Sequence, residues 1–225
     1  MQVLFRIKRK EIDQESSYWE EVPYTPKEDG QTVATALKKM NETMEHPIEW
    51  DCSCLQKKCG ACAMIINGRP GLACDTLLSD CGGEISLEPL RKFPVVQDLM
   101  VDRDVMMRNL RQMEVWLETE RAVDETGAGV VYEASRCLQC GLCLEVCPNF
   151  FPDGEFSGAA SMVPASRLFT GEKKGERELK KNYKKKVYEG CAKALSCRDI
   201  CPADIPIEDL LIRSNAAAVW KRRKR

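Results

Sequence analysis

Residues 137–148 read CLQCGLCLEVCP, and residues 191–202 read CAKALSCRDICP, the same frame 54 residues later with one cysteine missing. The first run is C-x2-C-x2-C-x3-C-P, the spacing that wraps a short chain around a cubane iron–sulfur cluster. Cys191 matches Cys137, Cys197 matches Cys143 and Cys201 matches Cys147, whereas the place of Cys140 is taken by Ala194, which has no donor atom. In two-cluster proteins of this kind the fourth cysteine of each run ligates the cluster of the other run. Crossed in that way, Cys137, Cys140, Cys143 and Cys201 form a four-thiolate set, which suits [4Fe–4S]. Cys147, Cys191 and Cys197 form a three-thiolate set, which suits [3Fe–4S] with Ala194 beneath the corner that lacks iron. The rival for the second set is a [4Fe–4S] cluster with a non-cysteine fourth ligand.

Upstream, residues 54–74 read CLQKKCGACAMIINGRPGLAC. Cys54, Cys59 and Cys62 follow C-x4-C-x2-C, and Cys74 supplies a distant fourth thiol, the plant-type pattern for [2Fe–2S]. The three arrays use eleven of the thirteen cysteines. Cys52 and Cys81 remain and are read as free thiols. The stretch WDCSC nonetheless sets Cys52 beside Cys54, close enough to be an alternate ligand.

Other cysteine chemistries fit less well. Structural zinc pairs two short knuckles across a spacer, and it does not call for consecutive x2 steps closed by Cys-Pro. A disulfide framework is disfavoured by the odd cysteine count and by a start, MQVLFRIKRK, without an apolar stretch of signal-peptide length. The reading is therefore a reduced, metal-bound chain in a cytosol-facing setting. The single histidine, His46, excludes a Rieske centre built from this chain alone, because that needs two histidines on one iron. No C-x-x-C-H occurs to attach a c-type haem. His46 itself, next to Pro47, reads as a surface loop residue.

Charged residues make up 31% of the 225 and apolar ones 44%, with 34 Lys and Arg against 35 Asp and Glu. That balance gives no sign of a nucleic-acid partner. No uncharged apolar run approaches the ~18 residues that suggest a membrane span. Two basic stretches, Lys173 to Lys186 and the final KRRKR, read as a solvated loop and a tail. The competing reading for both is contact with anionic lipid headgroups.

Periodicity divides the chain into residues 1–97 and 98–225. In the first part Val3, Phe5 and Ile7 alternate as in a half-buried strand, and a polar hairpin region spans roughly 11–30. Thr32 to Met44 carries Val33, Ala36, Leu37 and Met40 at helical spacing. An irregular loop holds the first cysteines. Ala63 to Asn67 then reads as a short strand closed by the turn signal Asn67-Gly68, and Ile85 with Leu87 marks a last strand. In the second part Met106, Leu110, Met113 and Leu117 predict a helix from Asp102 to about Glu120, its stripe read as core packing. Ile207 to Trp220 predicts another, with Pro206 at its first position. The expected architecture is α+β: an N-terminal β-grasp plant-type ferredoxin domain, then an all-α domain like a bacterial ferredoxin. The clusters should staple it, leaving the apo-protein less ordered.

The arrays and their order carry a resemblance. CSCLQKKCGACAMIINGRPGLAC, KFPVVQDLMVDRD, CLQCGLCLEVCPN and CAKALSCRDICP together resemble the iron–sulfur subunit of the succinate dehydrogenase and fumarate reductase family, over nearly the whole chain. The resemblance implies an electron-transfer subunit of a complex that interconverts succinate and fumarate on an FAD-containing flavoprotein. Electrons would pass through [2Fe–2S], [4Fe–4S] and [3Fe–4S] in line, to or from a quinone. The Cys54 set would face the flavoprotein. The Cys147, Cys191 and Cys197 set would lie nearest one or more membrane-anchor subunits, with or without haem. The protein would then be peripheral, on the cytoplasmic face of the cell membrane, with no acid–base catalysis of its own. Ubiquinone-type members carry His after the first cysteine of the last array, where this chain has Ala192. They also carry Trp shortly after Cys-Pro, where this chain reads Asn149-Phe150-Phe151-Pro152. Those departures point to a menaquinone-linked, anaerobic type, with Pro148, Asn149 and Ala192 as candidate quinone neighbours. Two competitors are the same wire in a soluble, thiol-linked fumarate reductase, whose chains carry a further cysteine-rich domain, and a free-standing multi-cluster ferredoxin.

Overall fold

The alternation of Val3, Phe5 and Ile7 becomes β1 (Val3–Arg9), whose odd-numbered residues are buried and whose even-numbered ones are half-exposed. In the computed structural model of the chain, the described residues are 2–116, 125–170 and 176–220. They fall into two units, Met1–Arg103 and Asp104–Arg225.

In the first unit, β2 (Tyr18–Tyr24), β3 (Ala63–Ile66), β4 (Arg69–Leu72) and β5 (Glu84–Glu88) join β1 in one sheet of order β2-β1-β5-β3-β4. The β1–β5 pair is parallel and the others are antiparallel. Helix α1 (Val33–Asn41) buries Val33, Ala36, Leu37 and Met40, and Thr32 caps it by accepting from the Thr35 N–H at 3.2 Å. A mixed sheet holding one helix is the β-grasp arrangement expected from the sequence. The β3–β4 turn uses Asn67 and Gly68 at φ of 49° and 76°, the pair of left-handed residues that a tight hairpin favours. Asn67 also accepts from the Ser86 N–H at 2.8 Å, which locks the hairpin against β5.

A second, two-stranded element was not anticipated. β6 (Val95–Gln97) and β7 (Met100–Val101) form a hairpin around Asp98. The buried Asp98 carboxylate accepts from the Lys10 and Glu49 N–H groups at 3.0 and 2.9 Å and pairs with Arg9 at 3.0 Å. This hairpin therefore belongs to the first unit, and the division falls after Arg103 rather than between 97 and 98.

The second unit is helical. α2 (Asp104–Met113) carries the expected stripe but ends well before Glu120. Glu114 turns left-handed at φ 56°, the Val115 N–H returns to the Leu110 carbonyl at 3.1 Å, and the Glu114 N–H bonds Arg111 at 3.0 Å. That is a Schellman termination, made here without glycine. Leu117 lies outside the described residues. α3 (Glu125–Ser135), α4 (Leu142–Glu145), α5 (Gly158–Ser166), α6 (Glu176–Tyr183), α7 (Ser196–Asp199) and α8 (Ile207–Ala218) follow. Pro206 stands one place before α8, as its N-cap. The basic stretch is helical from Glu176, not a loop, and continues as a wider turn over Lys184–Tyr188. Leu179, Tyr183 and Val187, four residues apart, bury its inner face and leave the lysines outward. Residues 171–175 and 221–225, the latter the whole of KRRKR, lie outside the described set.

Candidate metal centres

The repeat read in the sequence is also a repeat of backbone shape. Gln139 and Gly141 have φ of 51° and 86°, and their matches Lys193 and Leu195 have 59° and 58°. Each pair leads into a one-turn helix, α4 or α7, with the same closing bonds. The Cys147 N–H reaches Leu144 O at 3.2 Å, and the Cys201 N–H reaches Arg198 O at 3.3 Å. Left-handed residues in series turn successive N–H groups toward one side, a geometry that favours bound anions such as thiolates and sulfides.

The cysteines sort as crossed pairs. One cavity of about 30 Å³ is lined by Cys137, Cys140, Cys143 and Cys201, with apolar walls from Ala160, Val163 and Ile205. A second, of about 40 Å³, is lined by Cys147, Cys191 and Cys197, with Ala194 where a fourth thiol would complete the set. Thus Cys201 sits with the first run and Cys147 with the second. Pro148, Asn149 and Ala192 line the second cavity too. The Asn149 Nδ2 donates to the Gly190 carbonyl at 2.7 Å, tying the loop after Cys147 to the residue before Cys191. Pro148 and Ala192 are exposed.

Burial raises the thiol pKa of Cys140 and Cys197 to about 11 each, and that of Cys143 well above its ordinary value. Burial also raises Cys137, against opposing contacts from Gln139 and Arg167. Without a cationic centre these groups stay protonated at neutral pH; iron would supply the charge that makes them thiolates.

In the first unit the loop from Leu55 to Lys58 does the same work with two non-glycine left-handed residues, Leu55 at φ 54° and Lys57 at 57°. Three consecutive N–H groups then point at sulfur. Gln56 and Lys58 donate to Cys54 Sγ, and Lys57 donates to Cys74 Sγ, each at 3.3 Å. The first two lower the Cys54 pKa to about 7. Cys62, beside Cys74, is pushed up to about 12 by burial. The thiols group as Cys54 with Cys59 and Cys62 with Cys74, two pairs suited to two irons. Arg103 braces this loop, pairing with Asp51 at 2.8 Å and donating to the Ala61 and Ala63 carbonyls at 3.0 and 3.3 Å. Among the described residues no three of His, Cys, Asp or Glu converge as ligands of a single metal ion. A tetrahedral zinc needs its sulfurs only about 3.8 Å apart, and the thiols here line cavities instead. The donor sets therefore fit polynuclear clusters.

The remaining cysteines stay peripheral. Cys52 is exposed, though it lies within electrostatic reach of Cys59, Cys74 and Cys54. Cys81 donates its thiol to the Leu77 carbonyl at 3.3 Å. His46 is exposed, and its carbonyl accepts from Arg9 at 3.4 Å. The N–H donors at 56–58, the brace at Arg103 and the amide of Gln139 were not found from the sequence, because nothing in residue type marks an N–H that fold geometry aims at sulfur.

Two family descriptions match the chain: a 2Fe-2S iron-sulfur cluster binding domain over residues 4–108 and a 4Fe-4S dicluster domain over residues 133–205. The succinate dehydrogenase iron-sulfur subunit of Bacillus subtilis is 32% identical, covering 91% of this chain and 88% of that protein. The fumarate reductase iron-sulfur subunit of Wolinella succinogenes is 32% identical over 79% of this chain and 80% of its own length. A chain in the Mycobacterium smegmatis Sdh1 complex in the apo form shares the fold with a TM-score of 0.81, at 23% identity, covering 96% of this chain and 95% of that one.

Proposed function

Since the chain belongs to the family of succinate dehydrogenase and fumarate reductase iron–sulfur subunits, we propose that it relays electrons between an FAD-containing flavoprotein and menaquinone. It is an electron-transfer subunit of an oxidoreductase complex. Bound clusters supply one-electron chemistry; everything else is the work of this chain's residues. Cys54, Cys59, Cys62 and Cys74 hold [2Fe–2S] toward the flavoprotein, with the N–H groups of residues 56–58 neutralising sulfur charge. Cys137, Cys140, Cys143 and Cys201 hold [4Fe–4S] in an apolar pocket that keeps water from the thiolates. Cys147, Cys191 and Cys197 hold [3Fe–4S], and Ala194 leaves its fourth corner without a ligand.

The observation that carries this reading is the crossed sorting of the cysteines, with Cys147 beside Cys191, Cys197 and Ala194. With less thiolate charge than a four-cysteine cubane, that centre is the easier to reduce and suits the quinone end. Pro148, Asn149 and Ala192 border it, and the lack of histidine at 192 favours menaquinone. Among the described residues no helix is long and apolar enough to cross a membrane. On the family reading, attachment to the cytoplasmic face would run through separate anchor subunits.

The test is low-temperature EPR on the oxidised, anaerobically purified protein. Only an oxidised three-iron centre is paramagnetic there, so a near-stoichiometric signal that vanishes on mild reduction is expected. No signal, with iron near ten per chain, would mean two complete cubanes and would overturn the assignment.

A further inference from the structure

A proline inside a helix removes the N–H that would bond the carbonyl four residues earlier. Pro164 lies within α5, so the Ala160 carbonyl lacks the α-helical donor that residue 164 would supply. The side chain of Gln139 fills that place, with Nε2 donating to Ala160 O at 3.0 Å. The same nitrogen stands 3.2 Å from Cys137 Sγ. The orientation of the amide follows from chemistry. A flipped amide would set Oε1 against the Ala160 carbonyl, two acceptors facing each other, so the NH2 end must face both groups. Its two hydrogens then serve one partner each.

We propose that Gln139 is a potential-setting residue: its amide, held by the carbonyl that Pro164 leaves open, donates a hydrogen bond to the Cys137 thiolate and makes the four-thiolate centre easier to reduce. When that centre takes up an electron the sulfurs gain negative charge, and an N–H aimed at one of them gains strength. The reduced state is therefore favoured over the oxidised one. The contact is partly buried, so water screens it less than it would at the surface. The device serves one centre only. The residue matching Gln139 in the second run is Lys193, which is exposed. Sequence spacing holds no trace of this, because the pairing depends on a proline 25 residues downstream of Gln139.

The inference rests on Cys137 being a ligand of the [4Fe–4S] centre. The experiment is an EPR-monitored redox titration of the anaerobically purified complex, comparing wild type with Gln139→Leu, which keeps the volume and removes the donor. Electron affinity of the four-iron centre is expected to fall about tenfold, a negative shift of about 59 mV for one electron, with the other two midpoints unmoved. An intact four-iron signal at an unchanged midpoint would overturn the role of Gln139 and leave the ligand assignment standing. A wild-type complex without any four-iron signal would overturn the assignment itself. If the variant loses the cluster, wild-type protein carrying 15N in its glutamine side-chain amides decides the matter. A 15N hyperfine coupling to the reduced four-iron centre supports the hydrogen bond, and its absence refutes it.

Discussion

Gly158 stands at the start of α5 with φ +65°, and a Cβ built there would lie 2.3 Å from Leu144 Cδ2. Leu144 is fully buried, so it cannot swing into solvent to relieve the overlap. It lies in α4, next to Cys143 and three residues before Cys147, which belong to different thiolate sets. Gly158→Ala should therefore cost about 1 kcal/mol for an L-residue in the left-handed region. A further 1–3 kcal/mol should follow from overpacking against an immobile neighbour. The sum is about 2–4 kcal/mol, or a drop in melting temperature of roughly 6–15 °C for a unit of about 120 residues. The damage should be local. Iron should be lost from the two cubane-type centres while the [2Fe–2S] signal, held by residues of the other unit, persists. Anaerobic melting followed by circular dichroism, with iron and EPR counted per chain, reads both effects. Leu144→Ala removes the atoms that clash, so the double variant should be less destabilised than the two single changes added together, by at least 1 kcal/mol. A Gly158→Ala protein that melts within 2 °C of wild type, or a double variant that is strictly additive, would refute the overlap.

Three further outcomes are expected. Ala194→Cys places a thiol in the three-cysteine cavity, so a fourth iron should bind, and the oxidised EPR signal should fall as the midpoint moves negative. An unchanged signal in the folded variant would show that Ala194 is not at the open corner. In the iron-free protein Cys54, lowered to about 7 by two N–H donors, should alkylate at pH 7 much faster than Cys62, raised to about 12 by burial. Its rate should rise between pH 6 and 8 and level off above; in iron-free protein whose first unit remains folded by circular dichroism, equal rates on peptide mass mapping would contradict the loop geometry. Tyr183→Phe leaves the buried Asn215 Oδ1 without the hydroxyl that donates to it at 2.8 Å. It should cost about 1–3 kcal/mol of stability in the second unit without moving any midpoint, as thermal melting and redox titration can check.

The amino-acid sequence by itself determined that this is an iron–sulfur protein with a 2Fe-2S and a 4Fe-4S dicluster region, and it determined the class of the fold. Metal ligation depends on residue type at short spacing, so C-x4-C-x2-C and the two C-P runs are legible without any structure, and the 54-residue repeat shows Ala194 at the position matching Cys140. β1, α1 and α8 were legible for a similar reason, because apolar period follows backbone period. What the tertiary structure decided are the features set by direction rather than by composition. Glu114 ends α2 early because a left-handed residue closes it, although the apolar stripe runs on. The basic stretch from Glu176 is a helix because Leu179, Tyr183 and Val187 find a core to enter, which lysine-rich composition conceals. Asp98 holds the β6–β7 hairpin to the first unit through Arg9, Lys10 and Glu49, contacts between residues far apart in sequence. The N–H groups of residues 56–58 and the amide of Gln139 reach sulfur only because φ angles and a distant proline aim them. Ligand identity is local chemistry and is written in the chain. The hydrogen bonds and burial that tune a ligand are long-range geometry, and only folding creates them.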